Sequence, residues 1–198
     1  MLKNESCFLL IFIVLSFLST ASAQDSNFDF RKTKWGMTIS QVKAIESIKP
    51  SAVTKDKSKT LLIYKDTIAG LSCKVVYIFS QNKLIRSKYM VTKEHTNKND
   101  YLSDYNSLSS ALTEKYGPPE SEDTFWENDL FKDDYSGWGT AVSVGHLSKF
   151  TEWKTQATDI ILYLHGENYN INLGIEYLSV KLKSIEDEAD KTEDLKKL

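Results

Sequence analysis

Cysteine is almost missing from this chain of 198 residues: Cys7 and Cys73 are the only two, and Cys7 opens an N-terminal apolar run. If that run is removed by processing, Cys73 stands alone and an intramolecular disulfide is excluded, so stability has to come from a packed core. Histidine is equally scarce. His95, His146 and His165 lie far apart, and no paired His or Cys spacing suggests a metal centre. Charge of one sign is missing too: the net charge is −2, which draws the protein to neither nucleic acid nor anionic lipid. There is no Gly-x-Ser-x-Gly elbow, no phosphate-cradling glycine loop and no cofactor signature. Beyond the N-terminus no segment approaches the ~20 apolar residues of a spanning helix, so no transmembrane segment is expected.

What is present begins with an export signal. Lys3, an apolar run from Cys7 to Leu18, and Ala21-Ser22-Ala23 ahead of Gln24 have the order of a cleavable secretory signal peptide over residues 1–23. The expectation is a secreted protein, periplasmic in a Gram-negative cell. The remaining chain has the length of one domain, residues 24–182, followed by a charged stretch, 183–198, in helical register.

The domain opens on a helix start. Thr38 and Gln41 have the spacing of a capping box, Met37 and Val42 that of a hydrophobic staple, and Ile39, Val42 and Ile45 share a helical face until Pro50. Trp35 is expected to pack over the helix start, and Phe28 and Phe30 to add a short edge strand. Strand-like runs follow at 60–65, 72–79 and 84–92, with Cys73, Val75, Tyr77 and Phe79 on one face.

A second helix is marked by Tyr101, Leu102, Tyr105, Leu108, Leu112 and Tyr116 at i, i+3, i+4 spacing, closed by Gly117-Pro118-Pro119. Residues 120–138 then hold seven acidic side chains against Lys132 alone, interleaved with Phe125, Trp126, Phe131, Tyr135 and Trp138. Strands are expected at 140–145, 149–155, 158–165 and 169–182, the last with a bulge or a change of packing partner beyond Tyr177. The fold class is therefore α+β: antiparallel meander sheet with helices on one face. Residues 35–92 and 99–182 share an order, helix then meander, which suggests two α-βββ halves.

The segment Phe30-Arg31-Lys32-Thr33-Lys34-Trp35-Gly36-Met37-Thr38, with Val42 beyond it, resembles the Trp-Gly-Met-Ser/Thr helix start of small secreted bacterial proteins of unknown function. In those proteins a later helix ends in a Tyr-Gly-x-Pro-like turn, as Tyr116-Gly117-Pro118-Pro119 does here. At a looser level, Gly36-Met37-Thr38 with Val42 is similar to the small outer-membrane assembly lipoproteins of the SmpA and BamE type. That likeness implies a helix layer on a three-stranded antiparallel sheet and a role in binding partner proteins, and it supplies no catalytic residue.

Cys73 is the natural nucleophile to consider, with a histidine as base. Its strand parity argues for burial instead, and buried thiols are inert. The acidic segment lacks the alternation and glycine of an EF-hand loop, and the adjacent Asp133 and Asp134 would diverge in a strand. The best site candidates are Trp126, Phe131, Tyr135 and Trp138 with Asp133 and Asp134, rigid aromatic surfaces beside polar groups. The function expected is a non-catalytic envelope protein that binds a protein or other extracellular ligand. An enzyme using Cys73 or a histidine, and an outer-membrane assembly factor, are the alternatives.

Overall fold

The computed structural model describes residues 28–56, 58–185, 187, 188 and 191. The segment 1–23 and most of 183–198 lie outside these residues. Helix α1 (Ile39–Ile45) leads into a meander of four strands, β1 (Ala52–Asp56), β2 (Lys59–Ile68), β3 (Leu71–Ser80) and β4 (Lys83–Val91). Helix α2 (Asp100–Tyr116) leads into β5 (Ser121–Trp126). Two short 3-10 turns and helix α3 (Trp138–Ser143) precede β6 (Leu147–Lys154), β7 (Thr158–Glu167) and β8 (Asn170–Ser179). All eight strands form one antiparallel sheet in the order β1-β2-β3-β4-β8-β7-β6-β5. The last strands of the two meanders pair at its centre, from Arg86 opposite Leu178 to Met90 opposite Gly174. The first strands, β1 and β5, are therefore the two edges.

Local chemistry explains the elements. Three hairpins close through two-residue turns with positive φ at both positions: Ala69-Gly70, Gln81-Asn82 and Asn168-Tyr169. These are the turns whose twist matches that of the flanking strands. At α1 the Thr38 side chain accepts from the Gln41 amide while the Gln41 side chain accepts from the Thr38 amide, the expected capping box. Asn82 Oδ1 accepts a third orphan amide, from Ile39, at 3.3 Å. Just ahead of the cap, the Gly36 amide donates to the Leu84 carbonyl and the Leu84 amide to the Met37 carbonyl, both at 2.8 Å. Gly36 sits at φ +83 to make that approach. Trp35 donates its indole N–H to Thr158 Oγ1 at 2.9 Å, so the helix start is tied to strands of both meanders.

The main core cluster gathers Val42 of α1, Leu102, Tyr105, Leu108 and Leu112 of α2, and Ala141 and Val142 of α3. They join alternate strand residues such as Leu62, Val75, Tyr77, Leu162, Leu164 and Ile175. Val76, Ile78 and Ile85, with Leu61, Ile63 and Leu182 against them, form a smaller second cluster. Val76 and Ile78 have the strand parity opposite to that of Val75 and Tyr77, and side chains of opposite parity leave a strand on opposite faces.

The sequence-based expectations need correcting at several points. Each meander has four strands: β1 and β5 are strands that the sequence does not predict, and β5 stands in place of the run expected at 140–145. Residues 140–145 are not a strand: α3 covers Trp138–Ser143. Gly139 lets it pack directly on main chain, since a Cβ there would lie 2.3 Å from the Lys98 carbonyl carbon. Helix α1 ends at Ile45, with the Glu46 amide capping back to Val42, well before Pro50. Phe30 forms no edge strand. It makes an isolated bridge with Thr33 and buries its ring among Tyr77, Tyr89 and Tyr177, with centroids at 5.5, 5.1 and 4.9 Å. The last strand runs Asn170–Ser179 rather than 169–182, and Tyr169 sits in the turn that precedes it.

Replacing Thr38 by alanine removes the cap acceptor and is expected to cost about 1 kcal/mol of unfolding free energy. It should read out as a lower urea midpoint at unchanged slope; an unchanged midpoint would show that the helix start contributes nothing to stability.

Candidate functional site

The hairpin β1–β2 and the hairpin β5–β6 occupy corresponding places at opposite ends of the sheet, but they are closed differently. In the first, Asp56 pairs with Lys59 at the turning end; residues 127–146, the acidic and aromatic stretch, close the second. Long connections carried on a rigid scaffold are where binding residues concentrate.

This connection is tightly built. Asn128 accepts from the Leu130 amide at 2.9 Å to start the first 3-10 turn. Asp134 accepts from the Ser136 amide at 2.9 Å and its hydroxyl at 2.6 Å to start the second. The Trp138 indole N–H donates to the Lys132 carbonyl at 3.1 Å, and Lys132 pairs with Asp129 at 3.1 Å. Asn99, beside the start of α2, clamps the loop from outside: its amide nitrogen donates to the Tyr135 carbonyl at 2.9 Å, and its oxygen accepts from the Gly139 amide at 2.6 Å. Gly137 leaves room for the Phe131 ring, which a Cβ would approach to 2.7 Å.

The six residues expected at the site divide into two groups. Trp126, Phe131 and Trp138 are half-buried and pack against the main core, with Trp126 set edge-on to Trp138 at 5.5 Å. They are the foundation of the loop. Tyr135 stands 57% exposed, its ring 5.0 Å from that of Trp138. Asp133 and Asp134 are exposed as well, and the Asp134 carboxylate serves as a cap. Three more large hydrophobic side chains are exposed at this end of the sheet: Phe125, within the aromatic stretch, at 52%, and Leu130 at 73% and Tyr169 at 72%, neither of them among the expected site residues. Tyr169 holds φ 66, unusual for a bulky residue. Lys98, next to the clamping Asn99, lies over its ring at 5.1 Å. Hydropathy alone could have flagged Leu130, the one aliphatic residue among four acids; nothing in the sequence flags Tyr169.

The groups considered for catalysis do not converge. Cys73 is 2% exposed, and burial, with the nearby Asp66 carboxylate, pushes its thiol up to about 11. His95 lies 2.5 Å from Asp104 and 3.7 Å from Asp100, edge-on to Tyr101. His146 stacks obliquely near Phe131, and His165 near Tyr163.

A polar cluster lies beside Cys73. Arg31, held at φ 52, bridges Asp66 at 2.5 Å and Glu46 at 3.2 Å, while the Tyr77 hydroxyl donates to Glu46. A cleft of about 360 Å³ opens above it, lined by Arg31, Lys32, Ile45, Glu46 and Ser47. Because Arg31 already serves both carboxylates, the cluster joins the end of α1 to β2 and β3. The Arg31 hydrogen bond holds the Asp66 carboxyl below the usual carboxylate range, and burial pushes Tyr89 up to about 12.

No family model matches the chain, and no curated protein matches it. Among solved structures, the chain is similar to a cysteine-rich secretory protein from Staphylococcus aureus subsp. aureus Mu50, at 10% identity and a TM-score of 0.36. The match covers 74% of this chain and 44% of that one.

Two outcomes follow from this geometry. Gly139→Ala should destabilise the fold by about 1–3 kcal/mol through forced displacement, read as a lower melting temperature; an unshifted melting curve would show that α3 does not depend on the close approach. The stability profile should fall at both pH extremes. On the acid side, the lowered Asp66 contributes stability above its unfolded pKa that is lost as pH falls through its folded value. On the alkaline side, the Cys73 thiol resists ionisation between its ordinary 9.0 and about 11, so stability declines with rising pH there. Tyr89, Tyr105 and Tyr163 extend the decline from 10.0 to about 12. Urea midpoints across pH check the sign; a midpoint rising between pH 9 and 11 would contradict it.

Proposed function

We propose that this is a non-catalytic, exported envelope protein that binds another protein through the acidic and aromatic end of its sheet. The observation that carries the reading is the β5–β6 connection: a long loop, doubly capped and clamped by Asn99, that holds Leu130 and Tyr135 out into solvent. Exposed apolar side chains held on an ordered backbone lose little conformational entropy on docking, which is what a binding surface gains from preorganisation. Aromatic residues of this kind are the usual anchors of protein interfaces, with polar groups as the rim. The signal-peptide pattern of residues 1–23 supports export, and the burial of Cys73 argues against a thiol nucleophile.

The test is affinity capture of the mature protein from its own envelope fraction, run beside a Leu130→Ser/Tyr135→Ser variant. Both side chains are largely exposed, so the variant should keep the wild-type urea midpoint. Retention of the principal captured protein should fall roughly tenfold or more, the loss of two interface anchors. Equal capture by the folded variant would remove this surface from consideration; turnover of a substrate abolished by Cys73→Ala would replace binding by catalysis.

A further inference from the structure

Among the described residues strand β5 ends the sheet, pairing with β6 alone. Across that ladder the Glu127 amide donates to the His146 carbonyl. Because hydrogen-bonded and non-hydrogen-bonded pairs alternate in antiparallel sheets, the main-chain N–H and C=O groups of Glu122, Thr124 and Trp126 point away from the sheet. A row of main-chain donors and acceptors about 20 Å long, the span of a six-residue strand, is thereby open along this edge.

We infer that this edge accepts an extended, lysine- or arginine-bearing segment of a partner protein as an additional strand. The inference rests on the binding reading above and specifies its mode and partner chemistry. Charge selects the occupant. Glu120, Glu122, Asp123 and Glu127 lie along or beside β5, and two lysines stand near them, Lys149, which donates to Thr124 Oγ1 at 3.0 Å, and Lys154, 4.0 Å from Glu120, so the acids outnumber the cations four to two. Two copies meeting edge to edge at β5 would bring these acids together, which discourages self-association. The same acids favour a basic strand, so one feature supplies both repulsion from the wrong partner and attraction to the right one.

Side chains of an added strand alternate between the two faces, and each face has a place for them. On one lies Phe125, 52% exposed, with the Phe150 ring 6.0 Å away. On the other is a cleft of about 140 Å³ between α2 and the edge, where Asn106 and Ser109 face Glu122 and Thr124.

The experiment uses the full mature protein and three synthetic peptides: alternating lysine and valine, alternating glutamate and valine, and the lysine–valine peptide N-methylated at every second amide. N-methylation keeps the charge and removes the ladder. The lysine–valine peptide should bind, weaken with added salt, and slow hydrogen exchange at the Glu122 and Thr124 amides. The methylated peptide should bind roughly tenfold or more weakly, as lost main-chain hydrogen bonds require, and the glutamate peptide should not bind. Glu122→Lys should weaken lysine-peptide binding without lowering the urea midpoint. Equal affinity for the methylated and unmethylated peptides, or protection that misses Glu122 and Thr124, overturns strand addition. If in that case Leu130→Ser/Tyr135→Ser still abolishes partner capture, the binding surface stands and only its mode falls. Failure of the lysine–valine peptide to bind at all overturns the inference outright.

Discussion

The pairing of β4 with β8 is the constraint on which the rest of this structure depends. Each meander alone would leave its last strand as an open edge. Joined from Arg86–Leu178 to Met90–Gly174, they become one sheet, with the most interior strands at the seam and the first strands outermost. Phe30 seals the junction by touching Tyr89 on one side and Tyr177 on the other. Trp35, donating to Thr158 while its neighbours Gly36 and Met37 pair with Leu84, anchors the start of the domain across the same seam. Interactions so distant in sequence are costly to close, and these are placed where one closure organises both halves.

This arrangement sets where function can lie. At the seam Tyr177 is buried and Tyr89 half-buried, and in the polar cluster Arg31 pairs with both Asp66 and Glu46. The sheet ends are different. At the β1–β2 end Asp56 pairs with Lys59, whereas the β5–β6 end carries a long connection rich in acids and aromatics. That connection has its own capping residues, its own indole-to-carbonyl bond and a clamp from α2. Such reinforcement counters the conformational entropy of a long loop, and it leaves Leu130 and Tyr135 exposed.

Much of the fold could be read from the sequence because it is specified locally. The capping box at Thr38 and Gln41, the apolar stripe of α2 and the alternation of Cys73, Val75, Tyr77 and Phe79 each carry their structural meaning within a few residues. What could not be read depends on contacts between distant segments. β5 has acids at Glu122 and Asp123, depleted in strands, and becomes a strand because β6 is available to pair with it. Residues 140–145 look β-prone, yet α3 starts at Trp138 and its Gly139 packs on the backbone of Lys98 and Asn99, a contact between segments far apart in sequence. Of the six residues singled out for binding, the tryptophans and Phe131 proved to be foundation and Tyr135 surface, a division that composition cannot make because it depends on which rings the core reaches. Leu130 and Tyr169 escaped notice for the same reason.

The central claim is that the acidic and aromatic connection is a surface built in advance rather than a loop that orders on contact. Backbone order parameters from 15N relaxation of the free protein test it most directly. The account predicts values for Asn128 through Trp138 close to those of β6 and β7, near ~0.85, the level of rigid backbone. Values below ~0.6 across that stretch would contradict it, since capped turns and the Asn99 clamp could not then be holding Leu130 and Tyr135 in place.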